Sequence, residues 1–187
     1  MSKRLDELDT PLRGLKVIER KPIRDERGFL ERLFCAAELE DVLHNKTIAQ
    51  INHTLTAQRG VVRGMHYQRR PHAEIKFVTC IRGRVLDVAV DIRTGSPTFL
   101  RWHAEELSAD NFRTLAIPEG FAHGFQTLSD DCELIYFHTA PYVADAEAAI
   151  NPEDPRLGII WPLTITAMSP RDAAHPILGA EFEGVAE

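Results

Sequence analysis

Ten short runs of alternating or uniformly apolar residues, each closed by a turn signal, constrain this chain more than any other feature. They lie at 16–20, 29–34, 47–56, 61–68, 74–81, 84–93, 99–107, 113–117, 124–128 and 132–139. Runs of this length with period two are strand-like, whereas an amphipathic helix needs a 3.6-residue period sustained over ten or more positions. Only 36–43 and 144–149 read as short helices. Arg82-Gly83 predicts a tight hairpin, and 94–97 and 129–131 predict further turns. The expected architecture is therefore mainly β, two sheets closed as a sandwich or barrel. One domain spans 1–187, with a Pro-rich irregular segment from about 141 that Trp161-Pro162 and Ser169-Pro170 interrupt.

Alternation within the runs predicts where polar groups go. Leu86, Val88, Val90 and Ile92 share one strand face, with Asp87, Ala89 and Asp91 on the other. Ile75, Phe77, Thr79 and Ile81 oppose Glu74, Lys76, Val78 and Cys80, and Gln50, Asn52 and Thr54 oppose Ile51, His53 and Leu55. On any one strand a polar stripe reads as the wet side of an antiparallel sheet. Repeated over four strands with His, Lys, Glu, Gln and Asn in it, the stripe points to a polar-lined barrel cavity.

Composition removes several function classes. The chain has 22 basic and 28 acidic residues, net −6, and no basic cluster, which excludes a nucleic-acid footprint. A few arginines can still hold a diphosphate inside an acidic protein. No apolar run reaches membrane-spanning length, and Met1 to Lys21 lacks the apolar core of a signal peptide. Cys35, Cys80 and Cys132 are odd in number and scattered, with Cys80 and Cys132 in strand-like runs as small core residues, so the cytoplasm is the expected location.

Two segments carry histidine after glycine: Val62-Arg63-Gly64-Met65-His66-Tyr67-Gln68 and Ile117-Pro118-Glu119-Gly120-Phe121-Ala122-His123-Gly124-Phe125. The second has the Pro-x-Gly-x-x-His spacing of a cupin strand-turn, but Gln68 stands where a metal-binding cupin carries its second histidine. That pattern favours proton chemistry by histidine. With Asp25-Glu26-Arg27-Gly28-Phe29, Gln50-Ile51-Asn52, Lys76, the stretch Asp87 to Arg93 followed by Ser96-Pro97-Thr98-Phe99, Tyr142, Asp154-Pro155, Trp161-Pro162 and Ser169-Pro170-Arg171-Asp172, all in order, the chain resembles the nucleotide-sugar 3,5-epimerase family from about Gly14 to Leu178.

The resemblance implies a cupin-type double-sheet jelly-roll barrel, no metal, no cofactor, and a homodimer built partly by exchange of N-terminal strands. It implies 3,5-epimerisation of a nucleotide-linked 4-keto-6-deoxy sugar, with dTDP-4-dehydro-6-deoxy-D-glucose the expected substrate. Hydrogens at C3 and C5 of such a sugar are acidic because the carbanion delocalises onto the ketone. Inversion needs a base on one face, an acid on the other and a group that holds the enolate charge. His66 is the candidate base, since a neutral imidazole suits proton abstraction near pH 7. Lys76, on the polar stripe, is the candidate for the enolate oxygen. The resemblance supplies Asp172 as partner of His66 and Tyr142 as the opposing acid. Taken alone, an Asp after Ser-Pro is more often a helix N-terminal residue. Arg27 and Arg63 are expected at the diphosphate, Gln50 and Asn52 at base or sugar, and His123 beside the cavity. The Arg27 strand, with Phe29 and Glu31, is expected to reach the neighbouring subunit's site.

Glu74 departs from the glutamine common in the family, and Arg70-Pro71-His72 makes the following loop basic. Three alternatives stay open at this point: a C3-only epimerase on a dTDP-, CDP- or GDP-linked sugar, a metal cupin using His66, Glu74 and His123, and a non-catalytic sugar-nucleotide binder.

Overall fold

The computed structural model describes residues 3–186. In chain order its elements are β1 (Leu5–Asp9), β2 (Lys16–Arg20), β3 (Ile23–Asp25), β4 (Gly28–Leu30), α1 (Glu40–Leu43), β5 (Gln50–Thr56), β6 (Val62–Gln68), β7 (Lys76–Arg82), β8 (Arg84–Asp91), β9 (Trp102–Ser108), β10 (Arg113–Ile117), β11 (Phe121–Thr127), β12 (Cys132–His138), β13 (Glu147–Ala149) and α2 (Pro170–Ala173). One sheet has the order β1-β2-β10-β7-β12-β5 and the other β13-β6-β11-β8-β9, while β3 and β4 form a separate ribbon. From β5 onward the chain passes back and forth between the sheets, which makes the double-sheet jelly roll that the strand pattern and the resemblance led us to expect.

The interior of the sandwich is graded. On β7 the inward positions run from Cys80 and Val78 at one end to Lys76 at the other, and on β12 from Leu134 to Tyr136 and His138. The apolar end is filled by Val78, Cys80, Val85, Leu115, Phe125, Cys132 and Leu134, all nearly or fully buried. The polar end cannot close on itself without desolvating charged groups, so it opens as a cavity. The polar stripe read from alternation therefore faces inward. The apolar face of β8 looks outward and is covered: Val88, Val90 and Ile92 pack with Met65, and with Ile150, Leu157 and Trp161 from the irregular segment after 141. Cys80 is a core residue whose thiol burial pushes up to about 12.

Four local expectations change. Arg82-Gly83 is no hairpin, because β7 pairs with β10 and β12 while β8 pairs with β9 and β11; the two residues carry the chain from one sheet to the other. Residues 144–149 do not form a helix. Glu147, Ala148 and Ala149 pair with Gln68, Tyr67 and His66, giving the open edge of β6 a partner, and that ladder overrides local propensity. The run 29–34 is strand only over Gly28–Leu30, and 36–43 is helix only over Glu40–Leu43. β1 and β3 lacked a legible pattern, and α2 was signalled only by Ser169-Pro170 before Asp172. Among the described residues no helix is long and apolar enough to cross a membrane.

Candidate active site

The polar end of the barrel holds a cavity of about 200 Å³. β6 and β13 contribute His66, Gln68 and Glu147 to one wall, and β5, β7 and β12 contribute Asn52, Lys76, Tyr136 and His138 to the facing one. The geometry brings together groups far apart in sequence because both walls belong to neighbouring strands of a closed sandwich.

His66 is oriented by a carboxylate 106 residues away. Its Nε2 lies 2.7 Å from Asp172 Oδ1, and Asp172 is 3% exposed. Ser169 caps α2 by accepting the Asp172 amide at 3.0 Å, with Pro170 at the first helical position. Asp172 is thus both things at once: a residue in the first turn of a helix, and the partner of His66. Its other oxygen accepts the Gly64 N–H at 3.4 Å, which ties α2 to the strand that carries His66. A carboxylate only accepts, so Nε2 carries the imidazole proton and Nδ1 keeps a free lone pair.

β6 bends where it passes β11. His66 pairs with His123 and Arg63 with Phe125, so two residues of β6 face the single Gly124 across the bulge. Directly paired residues share a face. Arg63 therefore lies on the same side as His66 despite a three-residue spacing that strict alternation would split. Its guanidinium reaches toward Leu55 O of β5, 3.5 Å away, and does not line the cavity. The two strands approach so closely here that a Cβ on Gly64 would sit 2.5 Å from Gly124 Cα.

On the facing wall, Glu74 Oε1 lies 3.3 Å from Lys76 Nζ and Glu74 Oε2 lies 2.8 Å from His138 Nδ1. Burial raises the Glu74 carboxyl, but His138 and Lys76 outweigh it and hold the group below the usual carboxylate range. Tyr136 stacks on His138 with centroids 6.0 Å apart. Burial pushes its phenol well above the ordinary value, so it keeps its proton. Tyr142 is different: it is 54% exposed at the rim and its hydroxyl donates to Glu147 Oε2 at 2.7 Å, which raises its pKa. Gln50 meets it from the other side by accepting the Tyr142 N–H at 3.0 Å.

His123 lies deeper, its Nε2 2.9 Å and 3.0 Å from the two oxygens of a fully buried Asp87. Burial pushes the imidazole below its ordinary pKa; Asp87 opposes this, while Lys76 and His66 add to it. Between the folded and unfolded pKa values the unfolded chain binds the extra proton, so stability falls as pH drops below about 6.5. We expect a lower urea midpoint at pH 5.5 than at 7.5, and a flatter dependence in His123→Gln. Equal slopes in the two proteins would remove His123 as the source.

Arg27, Phe29 and Glu31 do not line this cavity. Arg27 is exposed and bonded to Asp25, Phe29 packs edge-on against Phe112, and Glu31 pairs with Arg20 at 2.9 Å. The set His66, Glu74 and His123 does not converge either, since each is engaged with a different partner. Tyr136, His138 and Glu147 line the cavity without having been assigned a role from the sequence, and Thr54 joins them as the polar stripe of its run predicts. The first two were within reach, because Leu134, Tyr136 and His138 alternate along one run.

Comparison with known proteins meets this geometry. The family model for dTDP-4-dehydrorhamnose 3,5-epimerase matches residues 9–180. A dTDP-4-dehydrorhamnose 3,5-epimerase of Salmonella typhimurium is 42% identical over 173 residues, 91% of this chain and 94% of that protein. A crystal structure of dTDP-6-deoxy-D-glucose-3,5-epimerase from Legionella pneumophila, in complex with dTDP-4-keto-L-rhamnose, superposes with a TM-score of 0.90 at 40% identity, covering 98% of this chain and 99% of that one. A 3'-monoepimerase from Streptomyces bikiniensis in complex with dTDP-quinovose superposes with a TM-score of 0.84 at 33% identity, over 90% and 85% of the two chains. A match that runs through nearly every strand, joined to an imidazole–carboxylate couple facing a lysine across the barrel, places this chain in the dTDP-4-dehydrorhamnose 3,5-epimerase family, isomerases of the epimerase class.

Proposed function

We propose that the chain inverts C3 and C5 of dTDP-4-dehydro-6-deoxy-D-glucose to give dTDP-4-dehydro-L-rhamnose. The observation that carries this reading is the pair of facing walls, His66 with Asp172 on one and Lys76 with Tyr136 on the other. His66 Nδ1 removes the proton alpha to the ketone, and its Nε2–H stays on Asp172, which stabilises the imidazolium formed. The electron pair moves to the ketone oxygen, where the Lys76 ammonium meets the developing charge. Reprotonation of the carbon from the opposite face inverts the centre, and repetition at the second carbon completes the reaction.

We assign that proton donor to Tyr136 in place of the expected Tyr142. Tyr136 stands on the wall across from His66, buried and holding its proton, whereas the Tyr142 hydroxyl is committed to Glu147 at the rim. Tyr136→Phe is expected to lower kcat roughly a hundredfold, and Tyr142→Phe to act mainly on KM. The reverse order in steady-state kinetics would return the role to Tyr142.

Arg63, on the His66 face of β6, and Gln50 and Asn52, which line the cavity from β5, suit the diphosphate and the sugar or base. Arg27, Phe29 and Glu31 fit a second copy of the chain. The β3–β4 ribbon is exposed throughout, and Ile23, Phe29, Leu30, Ile51 and Leu55 are large apolar residues in the open. That much exposed apolar surface supports a homodimer in which the ribbon serves the neighbouring cavity. The free thiols of Cys35, Cys80 and Cys132 support a reducing, cytoplasmic setting.

Incubation with dTDP-4-dehydro-6-deoxy-D-glucose and NMR of the product tests the reading. The L-rhamno product is expected; a product inverted at C3 alone would make the chain a monoepimerase, and unchanged substrate would overturn the assignment.

A further inference from the structure

A third imidazole lies behind the His66–Asp172 couple. His175 follows α2 by two residues, and one ligand atom from each of His66, Asp172 and His175 falls within 4.8 Å of the others. Among the described residues this is the one such cluster of His, Cys, Asp or Glu. His175 Nε2 is buried and has no hydrogen-bond partner. Leaving a buried polar nitrogen unsatisfied is unfavourable, so the ring stands ready for a ligand that the chain does not itself supply. The epimerase reaction as derived above makes no use of this residue.

We propose that His66, Asp172 and His175 form a site for a zinc-class divalent cation that switches the enzyme off by occupying its base. Two imidazole nitrogens and one carboxylate oxygen are the donor set of zinc, nickel or copper, and are poor in the oxygen donors that calcium and magnesium require. Tetrahedral ligands at about 2.0–2.2 Å from a zinc ion stand a little over 3 Å apart, so a modest rotation of the His175 ring closes the set. Asp172 is buried, but His66 opens to the cavity, and the cavity gives the ion its way in.

The consequence follows from the two nitrogens of one ring. A cation on His66 Nε2 binds the lone pair there, so the single proton of the neutral ring must sit on the other nitrogen. By exchange with solvent it moves from Nε2 to Nδ1, the nitrogen that must accept a proton from the sugar, with no net release. With no lone pair facing the cavity, the base is gone while the nucleotide can still bind. This consequence rests on reading His66 as the base; the binding of the cation does not.

The test uses full-length enzyme freed of metal by a chelator and titrated with zinc chloride. Calorimetry without substrate should show one ion per chain, and activity should fall in step with occupancy and return on adding chelator. His175→Ala should raise the zinc concentration for half-inhibition by at least about tenfold and leave metal-free turnover unchanged. His175→Asn serves if the alanine variant folds poorly. Cobalt(II) bound to the wild-type chain should give a visible spectrum that the His175 variants lose. Equal zinc inhibition of wild type and variant would overturn the proposal, as would the absence of binding heat at millimolar zinc. Calorimetry and the cobalt spectrum decide the site even if the chain fails to turn over the proposed substrate.

Discussion

Replacing His66 with alanine is expected to lower kcat about a thousandfold, in the middle of the range for loss of a positioned general base, while dTDP binding stays near wild type. The expectation rests on the one nitrogen that has a lone pair to offer. Asp172 fixes Nε2 as the protonated position at 2.7 Å, which leaves Nδ1 for the substrate. Asp172→Asn tests the same point from behind. An amide can present N–H to Nε2 and force the proton onto Nδ1, and a misassigned tautomer costs a triad hydrolase about ten-thousandfold. A loss of roughly a hundredfold or more is therefore expected here. Steady-state rates and calorimetric dTDP affinity separate chemistry from binding. A His66→Ala enzyme with near-normal kcat would remove the residue as base, and loss of dTDP affinity in step with activity would make its role one of binding.

The largest effect on stability is expected at the crossing of β6 and β11. In Gly64→Ala the new methyl would lie 2.5 Å from Gly124 Cα and 3.1 Å from His123 O, on a backbone with φ of +143°. Gly124→Ala would place its methyl 2.7 Å from Arg63 O and 2.9 Å from Gly64 Cα. These neighbours are backbone and cannot swing aside as a side chain could. The strands must part, and with them the ladder that sets His66 opposite His123. Overpacking against backbone should make each substitution destabilising by about 3 kcal/mol, with the positive φ adding to the cost at Gly64 alone. The corresponding fall in Tm is roughly 10 °C for a chain of this size. Thermal melts measure it directly. A Tm within a few degrees of wild type would mean that the two strands are not held this closely in solution.

Much of this architecture is legible in the chain because strand alternation and burial obey the same period. Wherever Val, Ile and Leu alternated with Asp, Lys or Asn, as in β5, β7 and β8, the pattern predicted both the strand and its inward face. What it could not show was sheet membership. Arg82-Gly83 has the residues of a hairpin, yet the chain uses them to change sheets, since pairing partners are chosen by the whole sandwich and not by the turn. β13 was hidden for a related reason: Glu147, Ala148 and Ala149 have weak strand preference, and only the open edge of β6 makes them extended. In the site, His66 and Lys76 followed from chemistry and stripe position. Asp172 came only through resemblance, because no sequence rule pairs residues 106 apart. Arg63 lay outside periodic reasoning altogether, since a bulge breaks the alternation between it and His66. The resemblance supplied Tyr142, which the structure finds at the rim, while the inward place of Tyr136 was legible from the alternation of its own strand.

One imidazole base with an opposing acid is expected to exchange protons at both carbons flanking the ketone. Incorporation of solvent deuterium into dTDP-4-dehydro-6-deoxy-D-glucose in D2O, followed by NMR, tests it most directly. Deuterium is expected at both C3 and C5 with wild-type enzyme and at neither with His66→Ala. Label at C3 alone, or label that persists at both positions without His66, would contradict it.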